Sequence, residues 1–185
     1  MCRFNESDLA TQNTGGVYGL RYMDDLFAIA AYTTDDARGD ALQCLERLSV
    51  AYHENMELEC EDTSEPFKYL CSQVVATQST LDISYYNRNF AYLTSHGKQL
   101  FPTFQHWHSF SSARQKTAVV ISAFHRITRA CNSFSNVRHA ANQIATELSY
   151  LQYPLRILLL AAGRMATADA RWATIYGAWQ TSRTA

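Results

Sequence analysis

The sequence predicts an α+β fold: a small antiparallel sheet carrying a β-hairpin and one helix, followed by an all-helical bundle. Three observations predict it. Aromatic-rich apolar runs across residues 17–32 are broken by the adjacent pair Asp24 and Asp25, the pattern of a tight hairpin. Two further β-forming runs, 67–76 and 81–86, are set off by Glu65-Pro66 and by Thr77-Gln78-Ser79-Thr80, which read as turns. Beyond residue 110 the apolar period changes from two to the helical spacing. A helix among antiparallel strands that share one core is an α+β arrangement.

Residues 1–16 are polar, end in Gly15-Gly16 and read as a flexible lead-in. In the hairpin, Val17, Leu20 and Tyr22 precede the acidic pair, and Leu26, Phe27, Ala28 and Ile29 come after it. Asp at a turn bonds the local backbone, and two carboxylates at the tip of a greasy hairpin also suit a divalent cation. Thr33 and Asp36 resemble a capping box. Ala41, Leu45, Leu48 and Tyr52 then recur on one helical face, so a helix is expected over 35–52. Met56, Glu57, Leu58, Glu59, Cys60 and Glu61 alternate with period two and predict a strand, with the runs 67–76 and 81–86 as the next two. Residues 88–110 read as a connector of mixed polar and aromatic character. Four apolar stripes come next: Val120, Phe124, Ile127 and Cys131; Val137, Ala141, Ile144, Leu148 and Leu151; Leu155, Leu158, Leu159 and Ala162; Trp172, Ile175 and Trp179. Breaks at 132–136 and at Tyr153-Pro154 make residues 111–185 a short-looped antiparallel bundle. On its first helix Ser122, Arg126, Arg129 and Ser133 lie away from the stripe, on a face that suits phosphates or plain solvent.

A composition of 47% hydrophobic and 18% charged residues excludes a disordered chain. The greasiest stretch, 155–162, is too short to span a bilayer, and no membrane partner is expected. The first residues hold no signal-peptide core, and five cysteines without a Cys-x-x-Cys pair suit reduced thiols, so an intracellular location is expected, nuclear or cytoplasmic. His106 and His108, placed at i and i+2 on a strand, could share a metal, but no third ligand is suggested and surface histidines are expected. The near-neutral total charge conceals an asymmetry. Residues 1–87 carry 15 Asp and Glu against 5 Lys and Arg, a net of −10, whereas residues 88–185 carry 2 against 11, a net of +9. An acidic module can hold cations and a basic one a polyanion; two solvated surfaces attracting each other would give the same asymmetry.

Tyr22-Met23-Asp24-Asp25 between apolar runs resembles the Tyr-x-Asp-Asp signature of reverse transcriptases. The downstream elements are similar in order: a helix, a strand, and Phe67-Lys68-Tyr69-Leu70 where that family has its Phe-Leu-Gly-like primer grip, with Cys71 replacing the glycine. The stretch from Leu81 to Arg88, with Tyr92, Leu93, Ser95 and His96, is similar to the post-palm segment of retroelement enzymes, Penelope-like elements among them. Arg126-Ile127-Thr128-Arg129, then a helix and Leu151-x-Tyr153-Pro154, resembles their thumb. The resemblance covers roughly residues 17–165.

It implies a partial palm over 17–87 and a helical thumb over 111–185, from the rear of an RNA-directed DNA polymerase. By that resemblance Asp24 and Asp25 are the catalytic metal ligands, for Mg2+ or Mn2+. Tyr22 and Met23 line the nucleotide and primer-terminus floor, and Phe67, Lys68, Tyr69 and Leu70 form the primer grip. Arg126 and Arg129 meet the nucleic-acid backbone, and the partner is an RNA or DNA template–primer duplex. Such chemistry is phosphoryl transfer, in which two metal ions about 3.5–4 Å apart stabilise the attacking and leaving oxygens. The family places a further aspartate on an earlier palm strand, and nothing similar stands in residues 1–16; nor does 57–62 contain the lysine often found after the palm helix. The expectation is therefore weak metal binding and no polymerase activity for this chain alone, with the remaining palm and fingers as a further partner. A non-enzymatic remnant that binds nucleic acid or protein, and a coincidental hairpin on a structural protein, are the competing expectations.

Overall fold

A computed structural model describes residues 17–22, 25–30, 34–50, 66–77 and 80–182. The lead-in, Met23, Asp24 and the expected strand at 56–61 lie outside the described residues. Antiparallel strands and helices are both present, in two compact units, 1–62 and 63–185.

In the first unit, β1 (Val17–Tyr22) and β2 (Asp25–Ala30) pair antiparallel, from Val17 opposite Ala30 to Tyr22 opposite Asp25. The helix α1 (Asp35–Val50) comes next, close to the expected span.

In the second unit the run 67–76, expected as one strand, is a hairpin. β3 (Phe67–Tyr69) pairs with β4 (Ser72–Ala76), with Tyr69 opposite Ser72 and Leu70-Cys71 between them. Leu70 takes a left-handed φ of 54°. Glycine or asparagine normally signals such a turn, and neither is present, so the sequence pattern could not reveal it. β5 (Leu81–Tyr85) pairs with β4 and forms the sheet's second edge.

The backbone of that edge is covered rather than bare. The Asn132 side chain accepts from the Ile83 N–H at 3.0 Å and donates to the Leu81 carbonyl. The Asn132 N–H and the Asn136 amide both donate to the Ile83 carbonyl, and the Tyr85 N–H donates to Cys131 Sγ at 3.2 Å. Residues at the junction of two helices thus satisfy the strand groups that would otherwise invite pairing with another chain.

The expected connector contains a helix, α2 (Arg88–His96). Asn87 caps its start through the N–H groups of Asn89 and Phe90, and Gly97, at φ 65°, ends it in the left-handed conformation. The bundle helices are α3 (Ala113–Ala130), α4 (Phe134–Tyr150), α5 (Leu155–Ala166) and α6 (Ala170–Thr181). Ser112 and Gln115 form a reciprocal capping box for α3, Ser133 caps α4 and Asp169 caps α6. The break expected at 132–136 narrows to Cys131–Ser133, because Asn136 is already helical.

Val120, Phe124, Ile127, Val137, Ala141, Ile144 and Leu148 are all buried, as the stripes predict. Leu155 is not: it is 46% exposed, and α5 buries Leu158, Ala161, Ala162 and Met165 instead. From Leu155 to Leu160 only Arg156 is polar, so the run is apolar around nearly the whole helix and its pattern does not pick out the buried face. The core centres on Trp172, stacked on Phe124 at 4.6 Å, its indole N–H donating to Thr128 Oγ1 at 2.7 Å. Arg171 donates to the Thr128 and Cys131 carbonyls at the end of α3, where a cation suits the helix dipole.

Candidate functional site

The hairpin is built as its sequence requires. Register is fixed along all six pairs, and Asp25 opens β2 directly opposite Tyr22, the last residue of β1. This pairing places Tyr22 and Asp25 at one hairpin end, with Met23 and Asp24 between them in the chain. Carboxylate oxygens are the donors that magnesium and manganese prefer, so the pair fits such an ion in kind. Two carboxylates leave most of its coordination to water or to other groups.

The primer-grip candidates divide by side. Phe67 and Tyr69, two apart on β3, are partly buried, whereas Lys68 and Leu70 are exposed. The Lys68 ammonium stands 4.6 Å from the Tyr86 ring centroid. The same sheet meets the arginine face of α3. Arg126 and Arg129 are both exposed, and the Arg126 charge lies close enough to the Tyr85 hydroxyl, at the end of β5, to act on it. Burial holds the Tyr85 hydroxyl above its usual range, and the nearby Arg126 charge opposes that shift. Arg126 thus stands beside the end of β5, and Arg129 in the last turn of α3. The structure thus joins grip candidates and arginines through β3, β4 and β5 in the second unit; Asp25 and Tyr22 belong to the first.

The sequence reading missed a second basic site. Arg156 and Arg164, eight residues apart on α5, border a groove of about 490 Å³ with Leu160, Gly163, Tyr176 and Gln180. Gln180 donates to the Tyr176 hydroxyl at 2.7 Å, which leaves that hydroxyl's own proton to face outward partners. The i, i+8 spacing puts both arginines near one helix face and was available as a signal, but the facing Tyr176 belongs to another helix.

Both carboxylates of residues 88–185 are used inside the fold. Glu147 is 1% exposed and accepts from the Asn87, Asn89 and Gln99 side-chain amides at 3.1, 2.8 and 2.7 Å. Asp169 caps α6 and pairs with Arg171 at 2.7 Å, which holds its carboxyl below the usual range. No other carboxylate of 88–182 offsets the exposed Arg88, Lys98, Arg114, Arg126, Arg129, Arg138, Arg156 and Arg164. With the exposed Asp82 of β5, which accepts from Asn136, as a neighbouring carboxylate, the surface of residues 88–182 is predominantly cationic.

Residues 106–108 form part of a turn rather than a strand, so the expected i, i+2 geometry does not arise. The His108 N–H donates to His106 Nδ1 at 3.3 Å, which engages that nitrogen. Among the described residues no group of three or more His, Cys, Asp or Glu could hold a metal ion, and no helix is long and apolar enough to cross a membrane. Compared with protein-family models, curated proteins and solved structures, the chain matches none.

Proposed function

We propose that this chain is the rear palm and thumb of a retroelement reverse transcriptase, part of an RNA-directed DNA polymerase. The observation that carries the reading is the hairpin pairing of Tyr22 with Asp25 within the Tyr-Met-Asp-Asp run, followed in order by α1, the β3–β4 hairpin and a cationic helical unit. Asp24 and Asp25 hold a divalent ion, and Tyr22 and Met23 line the floor beside the primer terminus. Magnesium or manganese bound there supplies positive charge to the oxygens that change partners in phosphoryl transfer. The β3–β4 hairpin, with Phe67, Lys68, Tyr69 and Leu70, steadies the primer strand. Arg126, beside Tyr85, and Arg129 meet backbone phosphates of an RNA or DNA template–primer duplex. With two adjacent carboxylates as its own metal ligands, the chain by itself holds the ion weakly and extends no primer.

Manganese titration tests this reading. Paramagnetic broadening of amide signals is expected around residues 22–27 and is expected to vanish in a variant carrying Asp24→Asn and Asp25→Asn. Broadening spread evenly over acidic surfaces, or unchanged in the variant, would remove the metal-site assignment. A second reading, a non-enzymatic nucleic-acid-binding remnant, draws on the cationic surface of 88–182 alone and predicts duplex binding without any localised manganese effect.

A further inference from the structure

We infer that the segment over residues 105–114, a loop and the first residues of α3, is a stacking platform for single-stranded nucleic acid, with Phe110 as the residue on which a base lies. The inference rests on the proposal that this chain handles nucleic acid, and it adds a strand type and a site to it.

The loop is locked from beneath. The Lys116 ammonium is buried and donates to the Trp107 carbonyl and, at 2.8 Å, to the Ser109 carbonyl. The Trp107 N–H donates to the Leu151 carbonyl at 3.0 Å, and its ring meets the Tyr153 ring edge-on at 5.3 Å. The Ser109 N–H closes a turn onto the His106 carbonyl, and Ser111 bonds the Gln105 side chain. Burial then alternates: Trp107, Ser109 and Ser111 are partly covered, whereas His106, His108 and Phe110 are exposed. Phe110 is exposed over its whole side chain, and the His106 and His108 rings lie 5.6 Å apart. Three planar rings are thus presented to solvent by a segment with little freedom left to lose on binding.

Charge chooses the occupant. Arg114 is exposed in the first turn of α3, four residues from Phe110, and neither carboxylate of 88–185 is available to repel an anion. Exposed rings beside fixed cations match a chain of phosphates bearing flat bases. In a duplex those bases are already stacked on each other and present no face to Phe110, which makes the single strand the form that binds here.

Phe110→Ala and Phe110→Trp test this in the full chain, with fluorescently labelled oligothymidylate and a blunt duplex as probes. Because Phe110 contributes no buried surface, both variants should keep the wild-type circular dichroism and melting transition. The expected result is about a tenfold or greater loss of oligothymidylate affinity in Phe110→Ala, duplex affinity within about twofold of wild type, and quenching of the new tryptophan in Phe110→Trp. Equal oligothymidylate affinity in wild type and Phe110→Ala, or tryptophan emission unchanged at saturation, overturns the inference and leaves Phe110 as a contact for a protein. Salt-sensitive duplex binding with no single-strand binding overturns this inference alone; absence of both kinds of binding overturns it together with the nucleic-acid reading beneath it.

Discussion

Two regions of the second unit differ in how far polar groups hold them in place. The bundle α3–α6 closes around apolar side chains, with Trp172, Phe124 and Ile127 fully buried. The segment 87–112 adds to its buried Phe104 and its Trp107–Tyr153 contact a set of buried polar fastenings: Asn89 and Gln99 to Glu147, and Lys116 to two loop carbonyls. Apolar contacts tolerate small shifts, whereas a buried amide, carboxylate or ammonium is stable only with its partners at hydrogen-bond distance. The bundle supplies a stable body, and the polar fastening fixes where the segment's exposed groups stand.

The largest expected effect strikes the apolar side of this contrast. Trp172→Ala removes the stacked partner of Phe124 and the Thr128 hydrogen bond, and should cost about 3–5 kcal/mol in denaturant unfolding. Asn89→Ala strikes the polar side. Asn89 accepts from the Leu100 and Phe101 N–H groups and donates to Phe101, Thr103 and Glu147, so its loss strands several groups and should cost about 2–3 kcal/mol. Hydrogen exchange sharpens the comparison: in Asn89→Ala, amides of 97–112 should exchange faster than those of α3 and α4. Uniform acceleration would break the distinction between the two regions.

Lys116→Met keeps the apolar stem and deletes both carbonyl bonds, and about 1.5–3 kcal/mol is expected. Asp169→Asn keeps a capping oxygen and loses the ion pair with Arg171, for about 1 kcal/mol or less. The Arg171 hydrogen bond depresses the Asp169 carboxyl in the folded state, so its stabilisation is complete above the ordinary carboxylate value and declines as pH falls through the lowered one. Wild type should therefore lose its advantage over Asp169→Asn in acid melts below about pH 4. A constant difference down to about pH 2 would contradict that cause.

The apolar half of this architecture was legible in the sequence because Val120, Phe124 and Ile127, or Val137, Ala141 and Ile144, repeat at a local period. The α1 helix and the pairing of β1 with β2 were legible for the same reason. The polar fastening was not, because Asn89 and Glu147 lie 58 residues apart and neither announces the other. Glu147 does stand three residues after Ile144 on the buried side of α4, an anomaly that a search for charged residues on apolar stripes would flag. The helix α2 had cap signals in Asn87 and Gly97, but nine residues give too few turns for a stripe to stand out. The turn at Leu70-Cys71 lacked the residues that normally mark one. In the candidate site, Arg126 and Arg129 were legible as the face opposite a stripe, whereas the nearness of Tyr85 to Arg126 depends on β5 packing beside α3.

Arg129→Ala carries the smallest effect on stability, within about 0.5 kcal/mol, because the residue is exposed on α3. Its effect on binding addresses the central claim, that the cationic helical face grips a nucleic-acid backbone. The direct measurement is the affinity of the full chain for an RNA–DNA duplex as salt is raised, for wild type, Arg129→Ala and Arg126→Ala. The account predicts a linear fall of log affinity with log salt, and a slope smaller by about one in each variant. Affinity indifferent to salt, or slopes unchanged when either arginine is removed, would contradict it.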